Sequence, residues 1–412
     1  MNAVVLYPAK SPEAVDIISP LSAFGDLRNA ELSPIFQYSF EYTVDNTELN
    51  TNTVVAGGAV TQASGMAVVG TSITTASSAL LVSKRKAKYK SGLGGLARIT
   101  TLFETGGVAA TVQHAGLIDE VGSSEAFNNG YTIGFEGPVF GFHRFQNDVL
   151  TTVAQANWDD PLDGSGASGM TLDTSKLNVW EIQFQYLGSG AITLLVEDDS
   201  TGKFVKIHTI LYANLNIIPS VFMPNFQIAL FVDNKATTSD LIVKSSSFSY
   251  FVEGKAEPIL THQPQQSTGI ISKAGVSTEV AIFTIRNKTT YASKTNFIEI
   301  NLEKLAASIE ASSPNNLGEI RIVRNTTLGG TPSYSDINTT DSVVEIDTSG
   351  TTLTGGKELF SSTLAGKNDK VGEEGLLTPF DFIIPPGETV TVAGTSANSA
   401  TMPGSLLWKE LF

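Results

Sequence analysis

The 412-residue chain contains no cysteine. That excludes disulfides, thiolate zinc sites and cysteine nucleophiles together. A large domain matured in an oxidising compartment often carries at least one bridge, whereas a protein folded in a reducing cytosol needs none. Charge is scarce as well: Asp, Glu, Lys and Arg make up 16 % of the chain, with 41 acids against 26 bases and a formal charge of −15. Nucleic acid is therefore not expected as a partner, because binding it requires clustered Lys and Arg to neutralise phosphates. Long apolar runs are missing too. Phe226-Gln-Ile-Ala-Leu-Phe-Val232 is among the longest, far short of the ~20 residues that span a bilayer. Met1 to Lys10 lacks a basic segment followed by an apolar one, so the expectation is a protein made in a cytoplasm, without membrane insertion.

What the chain does have is short alternating runs separated by polar, glycine-rich turns. In Trp180-Glu-Ile-Gln-Phe-Gln-Tyr186 the large apolar residues alternate with Glu181, Gln183 and Gln185, the period of a strand with one buried and one wet face. Similar runs include Ala97–Phe103, Tyr131–Phe135, Val139–Phe145, Ala191–Glu197, Lys203–Ile210 and Leu241–Val252. Asp198-Asp-Ser-Thr-Gly202 between two of them is a hairpin signal. The fold class expected is all-β: a jelly-roll or concanavalin-like β-sandwich over 49–255, then a linker over 256–271. A second, smaller β-sandwich follows over 272–412. Residues 1–48, interrupted by Pro8, Pro12, Pro20 and Pro34, read as an arm docked on its own sandwich, a sister subunit or a larger assembly, since so little apolar surface cannot offset its ordering entropy. Leu302 to Ala311 has helical flavour but is equally compatible with continued sheet. The Ile384-Pro-Pro-Gly-Glu388 step marks a tight turn.

Groups able to carry chemistry are few. His114, His143, His208 and His262 are scattered, none at helical or hairpin spacing from another, and read as surface or strand-packing histidines. Asp159, Asp160, Asp163 and Asp173 flank the glycine-rich stretch Leu162 to Asp173. Carboxylates on such a loop suit Ca²⁺, yet Asp-Pro and Asp-Gly are ordinary turn dipeptides and the spacing is not that of a helix–loop–helix site, so an ordered turn is favoured. A glycosidase pair among them is an alternative that one sequence cannot support, because the separation of the carboxyls is unknown. Trp158 and Tyr131, with Asp159 and Asp163, are candidate glycan contacts, aromatic rings being able to stack on a sugar; core packing is the competing reading. Gly92-Leu-Gly-Gly95 lacks the lysine ending of a phosphate loop. The basic run Lys84-Arg85-Lys86-Ala87-Lys88 is a candidate contact with an acidic neighbouring subunit. No catalytic, metal or cofactor-binding residue is assigned.

Several stretches resemble one family. Phe24-Gly-Asp-Leu-Arg-Asn-Ala-Glu-Leu-Ser-Pro-Ile-Phe-Gln37 is similar to the opening of large virion structural proteins of tailed bacteriophages. So are Gly130–Phe135 with Phe140–Phe145, the Leu162–Asp173 loop and the tail Ser405-Leu-Leu-Trp-Lys-Glu410. The resemblance covers nearly the whole chain from about residue 22. It implies a concanavalin-type middle domain and a place in a phage particle assembled in a bacterial cytoplasm, and it brings no catalytic residues. The function it implies is a non-enzymatic decoration, fibre or spike-like component. Its partners would be copies of itself (a homo-oligomer, with a trimer expected) and other virion proteins. The rival readings are a receptor protein that binds host glycan and, behind it, a polysaccharide depolymerase.

Overall fold

The computed structural model describes residues 31–45, 50–89, 91–119, 127–254, 263–311, 316–366, 371–376 and 382–412. Most of the expected arm, the first part of the expected linker (256–262, with His262) and Lys90 lie outside the described residues. The chain divides into two compact units, Met1–Ala256 and Glu257–Phe412. Both are built of antiparallel strands, and a single 3-10 turn, Gln155–Asn157, is the one helical element among the described residues.

Among the described residues the first unit holds sixteen strands: β1 (Leu32–Ser39), β2 (Asn50–Val55), β3 (Ala59–Ala63), β4 (Met66–Gly70), β5 (Ser78–Ser83), β6 (Gly95–Phe103), β7 (Val112–Ile118), β8 (Asn129–Glu136), β9 (Val139–Gln146), β10 (Val149–Ala154), β11 (Asn178–Phe184), β12 (Ile192–Glu197), β13 (Phe204–Ile210), β14 (Gln227–Asp233), β15 (Ile242–Ser245) and β16 (Ser247–Glu253). One sheet runs β13-β12-β11-β6-β15-β4-β3, with β16 also paired to β6 and β1 to β16. The other runs β10-β9-β8-β7-β14-β5-β2. Their inner faces share one core. Ile99, Trp180, Ile182, Leu194 and Tyr250 come from the first sheet, and Leu117, Ile133, Phe142 and Leu230 from the second. This is a concanavalin-like jelly roll. Alternation dictates it: on β11, Trp180, Ile182 and Phe184 are buried in the core while Gln183 stays on the outer face. Trp180 brings a polar handle inside, and its indole N–H donates to Thr101 Oγ1 at 2.8 Å.

The stretch Pro34 to Tyr42 supplies β1. Phe36, Tyr38 and Phe40 from it enter the core, Phe36 stacked on Tyr250 and Tyr38 and Phe40 edge-on to Phe248. The hairpin expected at Asp198–Gly202 joins β12 to β13. The Asp198 carboxylate accepts from the Ser200 N–H and hydroxyl at 2.7 Å, and Gly202 closes the turn at φ +65°, a conformation glycine adopts without cost.

The second unit is a smaller sandwich, with two six-stranded sheets among the described residues. One is centred on Glu299–Ala311 and Ala400–Leu411, flanked by Gln265–Ser267, Ile271–Val276, Val371–Leu376 and Phe382–Ile384. The other contains Val280–Asn287, Asn316–Arg324, Ser335–Asp336, Val344–Asp347, Lys357–Gly366 and Thr389–Ser396. The helical flavour of Leu302 to Ala311 is overridden: pairing on both sides with Ala400–Leu411 and Val371–Leu376 makes it the long central strand. Tertiary pairing outweighs a local propensity of a few tenths of a kcal/mol per residue. Residues 265–267, placed by the sequence in the linker, pair with Leu407–Lys409. The Pro385-Pro386-Gly387 step turns as expected, with Gly387 at φ +86°. Ala400–Leu411 alternates buried and half-buried along its whole length, and its Trp408 is fully buried.

Candidate functional site

The glycine-rich stretch after β10 forms an ordered hairpin. Asp163 bridges Thr171, the Gly164 N–H donates to Met170 O, and the Leu172 N–H donates to Leu162 O, both at 2.9 Å. Asp160 holds it from inside: its carboxylate accepts from the Leu162 N–H at 3.2 Å and the Ser168 N–H at 2.7 Å. A Cβ on Gly166 would stand 1.9 Å from Asp160 Oδ1, so only glycine lets the loop close over its own carboxylate. Asp163 and Asp173 each fold onto the serine two residues on, Ser165 and Ser175. Those side-chain and backbone hydrogen bonds hold both carboxyls below the usual carboxylate range. Asp159 accepts from the Thr209 N–H at 3.0 Å, beside His208.

Two expected glycan contacts are not where a glycan reaches. Trp158 is buried, its indole N–H donates to Val153 O at 3.0 Å and its ring packs edge-on against Phe140. Tyr131 is wholly buried with its hydroxyl 2.9 Å from Ser220 Oγ. Burial pushes that phenol well above its ordinary pKa. Both rings plug the core, the competing reading: β8 turns Tyr131 inward, and the 3-10 turn Gln155–Asn157 delivers Trp158 against Phe140. Asp159 and Asp163 remain at the surface. They do not combine with the two aromatics into one site.

Strand register brings together two histidines that the sequence separates by 29 positions. His114 on β7 and His143 on β9 flank β8, with ring centroids 4.8 Å apart. His114 bonds Glu136 at 2.9 Å and Thr132 at 3.1 Å; His143 bonds Thr152 at 3.0 Å and Gly134 O at 3.1 Å. Gly134 makes room, since a Cβ there would lie 1.9 Å from Gln113 O. Burial, reinforced by His114, pushes the His143 imidazole down to about 3, so it is neutral at physiological pH. This is strand packing. Among the described residues no group of three or more His, Asp or Glu is placed to hold a metal ion.

The basic run lies between β5 and β6. Ala87 bridges Phe226, the Tyr89 N–H donates to Asn225 Oδ1 at 2.9 Å, and the Ser83 hydroxyl donates to Arg85 O. Arg85 is exposed, and Lys84, Lys86 and Lys88 are half-buried.

A groove of about 460 Å³ opens on the outer face of the first sheet. Register builds it: Gln183 pairs Leu96 and Thr193, Glu181 pairs Arg98, and Leu32 pairs Glu253. Leu96 and Leu32 give apolar surface, and Gln183, Gln185, Thr193 and Glu253 give polar walls. A Cβ on Gly94 would stand 2.9 Å from Glu253 Oε2, the far end of an exposed side chain at the groove's edge. At one side Arg98 bonds Glu181 at 2.6 Å and lies over the rings of Phe204 and Phe251, at 5.0 and 5.9 Å from their centroids. Glu181 also accepts from Gln183. The sequence displayed Glu181, Gln183 and Gln185 as a wet face; Gln183 and Gln185 stay open to the groove, whereas Glu181 is buried against Arg98. What it did not display was which strands lie beside them.

No known sequence family matches the chain, and no curated protein matches it in sequence. Among solved structures it is similar to an endo-1,3-beta-glucanase from Streptomyces sioyaensis (10 % identity over 54 % of this chain and 97 % of that one, TM-score 0.39). It is also similar to lectin II from Ulex europaeus (11 % identity, 54 % and 100 % covered, TM-score 0.35) and to a glycosyl hydrolase family protein from Mycobacterium fortuitum (10 %, 53 % and 99 %, TM-score 0.36). Enzymes and lectins thus stand side by side among these neighbours, and at such identities the likeness concerns the fold.

Proposed function

We propose that this protein is a non-enzymatic structural component of a bacteriophage virion, a decoration, fibre or spike-like piece that assembles through its N-terminal arm and β domains. The observation that carries this reading is how the candidate reactive groups are used. Asp160, Asp163 and Asp173 fasten a loop, and His114 and His143 tie three strands together. The sequence resemblance to phage virion proteins supplies the setting. Particles released by the genome that encodes this chain, labelled at its C-terminus and viewed in negative stain, are expected to carry label at one repeated location. Unlabelled particles beside abundant free protein would contradict the reading.

The outer-face groove favours a second reading, in which the same protein holds a host polysaccharide. Amide, hydroxyl and carboxylate groups around an apolar strip suit a neutral sugar, which offers hydroxyls at its rim and C–H bonds on its face. Saturable binding of host glycan, lost in Gln183→Ala with Thr193→Ala, is the expected result under this reading. Binding that survives that pair places the glycan elsewhere on the protein, no binding at all removes this reading, and shortening of the polymer would argue for a depolymerase instead.

A further inference from the structure

Arg98, at one side of the outer-face groove, is held in place while most of its donors stay free. Its Nε donates to Glu181 Oε2 at 2.6 Å, and Glu181 is buried and also accepts from Gln183. Its guanidinium carbon lies 5.0 Å from the centroid of the half-buried Phe204 ring and 5.9 Å from that of Phe251, contacts that favour a guanidinium over an aromatic face. The two Nη nitrogens have no hydrogen-bond partner among the described residues, and the side chain is 41 % exposed. An arginine present only to neutralise its carboxylate can do otherwise. Arg286 in the second unit gives both Nε and Nη2 to Glu345.

Register sets the surroundings. Ser249, Arg98, Glu181, Leu195 and Lys206 form one outward-facing row across β16, β6, β11, β12 and β13. Glu197 faces the same way, opposite Phe204, and both Glu197 and Lys206 are exposed. Charges at this side therefore balance, Arg98 and Lys206 against Glu181 and Glu197. What distinguishes it is an unfilled donor fork, not a positive field. Glu253 belongs to the other end of the groove. Its N–H donates to Gly94 O, four residues before Arg98 along the chain, a separation of about 13 Å at the usual rise per residue.

We propose that Arg98 reads a carboxylate on the polysaccharide held in this groove, so that the glycan is an acidic one. A uronic acid lies at the Arg98 end, neutral units lie over Leu96 and Gln183, and no acidic unit lies against the like charge of Glu253. A carboxylate presents two coplanar oxygens to parallel N–H groups, the match that makes arginine the residue for planar bidentate recognition. A neutral sugar has no such pair. This inference rests on the glycan reading of the groove and adds to it the class of sugar.

The test uses surface polysaccharide purified from the host bacterium, native and after reduction of its carboxylates to primary alcohols. Binding of each to the full chain is measured by titration calorimetry. The wild type is expected to bind the native polymer about tenfold more tightly or better, with a gap that narrows as salt rises. Arg98→Lys keeps a positive charge beside Glu181 and loses the fork. It is expected to bind both polymers as the wild type binds the reduced one. The reduction alters the polymer and leaves the protein as it is, so that arm decides even if the variant fails to fold. Equal binding of both polymers by the wild type overturns the inference and leaves the groove reading standing, whereas no binding of either overturns both. A preference for the native polymer that Arg98→Lys retains puts the carboxylate elsewhere and also overturns it. Affinity that survives reduction yet is lost in Arg98→Lys would put a phosphate on the fork, against the assignment to a carboxylate.

Discussion

Glu181 and Glu410 are both buried glutamates on strands, and they have opposite meanings. Glu410, inside the second unit, is fully buried and its carboxylate accepts from the Ser342 hydroxyl at 2.6 Å, the Val343 N–H at 3.0 Å and the Trp408 indole N–H at 3.2 Å. All three donors are neutral and belong to the fold, so the charge is spent on joining the last strand to the turn before Val344–Asp347. Glu181, in the first unit, shares its charge with Arg98, whose side chain is 41 % exposed, at the edge of an open groove. A carboxylate enclosed by neutral donors is architecture. One paired to a half-exposed cation beside a groove is a wall that a ligand can meet.

The largest expected effect in this contrast is at Glu410. Glu410→Ala strands three buried donors, each costing roughly 1–3 kcal/mol when left without a partner, so a loss of about 3 kcal/mol or more is expected in denaturant unfolding of the second unit. A change under 1 kcal/mol would mean that Ser342, Val343 and Trp408 find other acceptors.

Next comes pH. His143 has a folded pKa of about 3 against an ordinary 6.5. Between those values the unfolded chain binds the extra proton, so stability is complete above about pH 6.5 and falls as the solution is acidified toward 3. The slope from this one group is about 1.4 kcal/mol per pH unit. Asp163, Asp173, Asp198 and Asp347, held below the usual carboxylate range in the folded chain, contribute in the same direction at lower pH. Thermal melts of His143→Gln and wild type are therefore expected to converge on acidification, and parallel curves would remove His143 from the account.

Gly166→Ala should come third. Its new methyl collides with Asp160 Oδ1, and the loop must release either the Leu162 or the Ser168 N–H, about 1.5–3 kcal/mol by the cost of one lost hydrogen bond to a charge. Faster amide exchange confined to residues 160–172 is the readout. Smallest of all is Glu181→Gln, which keeps hydrogen-bonding capacity and removes a pair that is half-open to water. A stability change within about 1 kcal/mol is expected, with any glycan affinity of the groove altered; a loss like that at Glu410 would erase the distinction drawn between the two glutamates.

Much of the fold was legible because alternation is local. Trp180, Ile182 and Phe184 announced the inner face of β11, and Asp198 to Gly202 announced the hairpin between β12 and β13. Leu302 to Ala311 was ambiguous for the same reason, since only its two partner strands decide between helix and sheet. The candidate site was less legible. Trp158 and Tyr131 were visible as aromatics, but whether a ring faces in or out depends on the residues opposite it, and Ser220, Val153 and Phe140 lie far off or across a turn in sequence. His114 with His143, and Glu181 with Arg98, meet through strand pairing alone, which no spacing rule announces.

The central claim is that this chain is a building piece of a particle. Quantitative mass spectrometry of density-purified particles from the encoding genome tests it most directly. The account predicts the chain at a fixed copy number that matches a symmetric position. Its presence only in the soluble fraction, with none left on particles after washing, would contradict it.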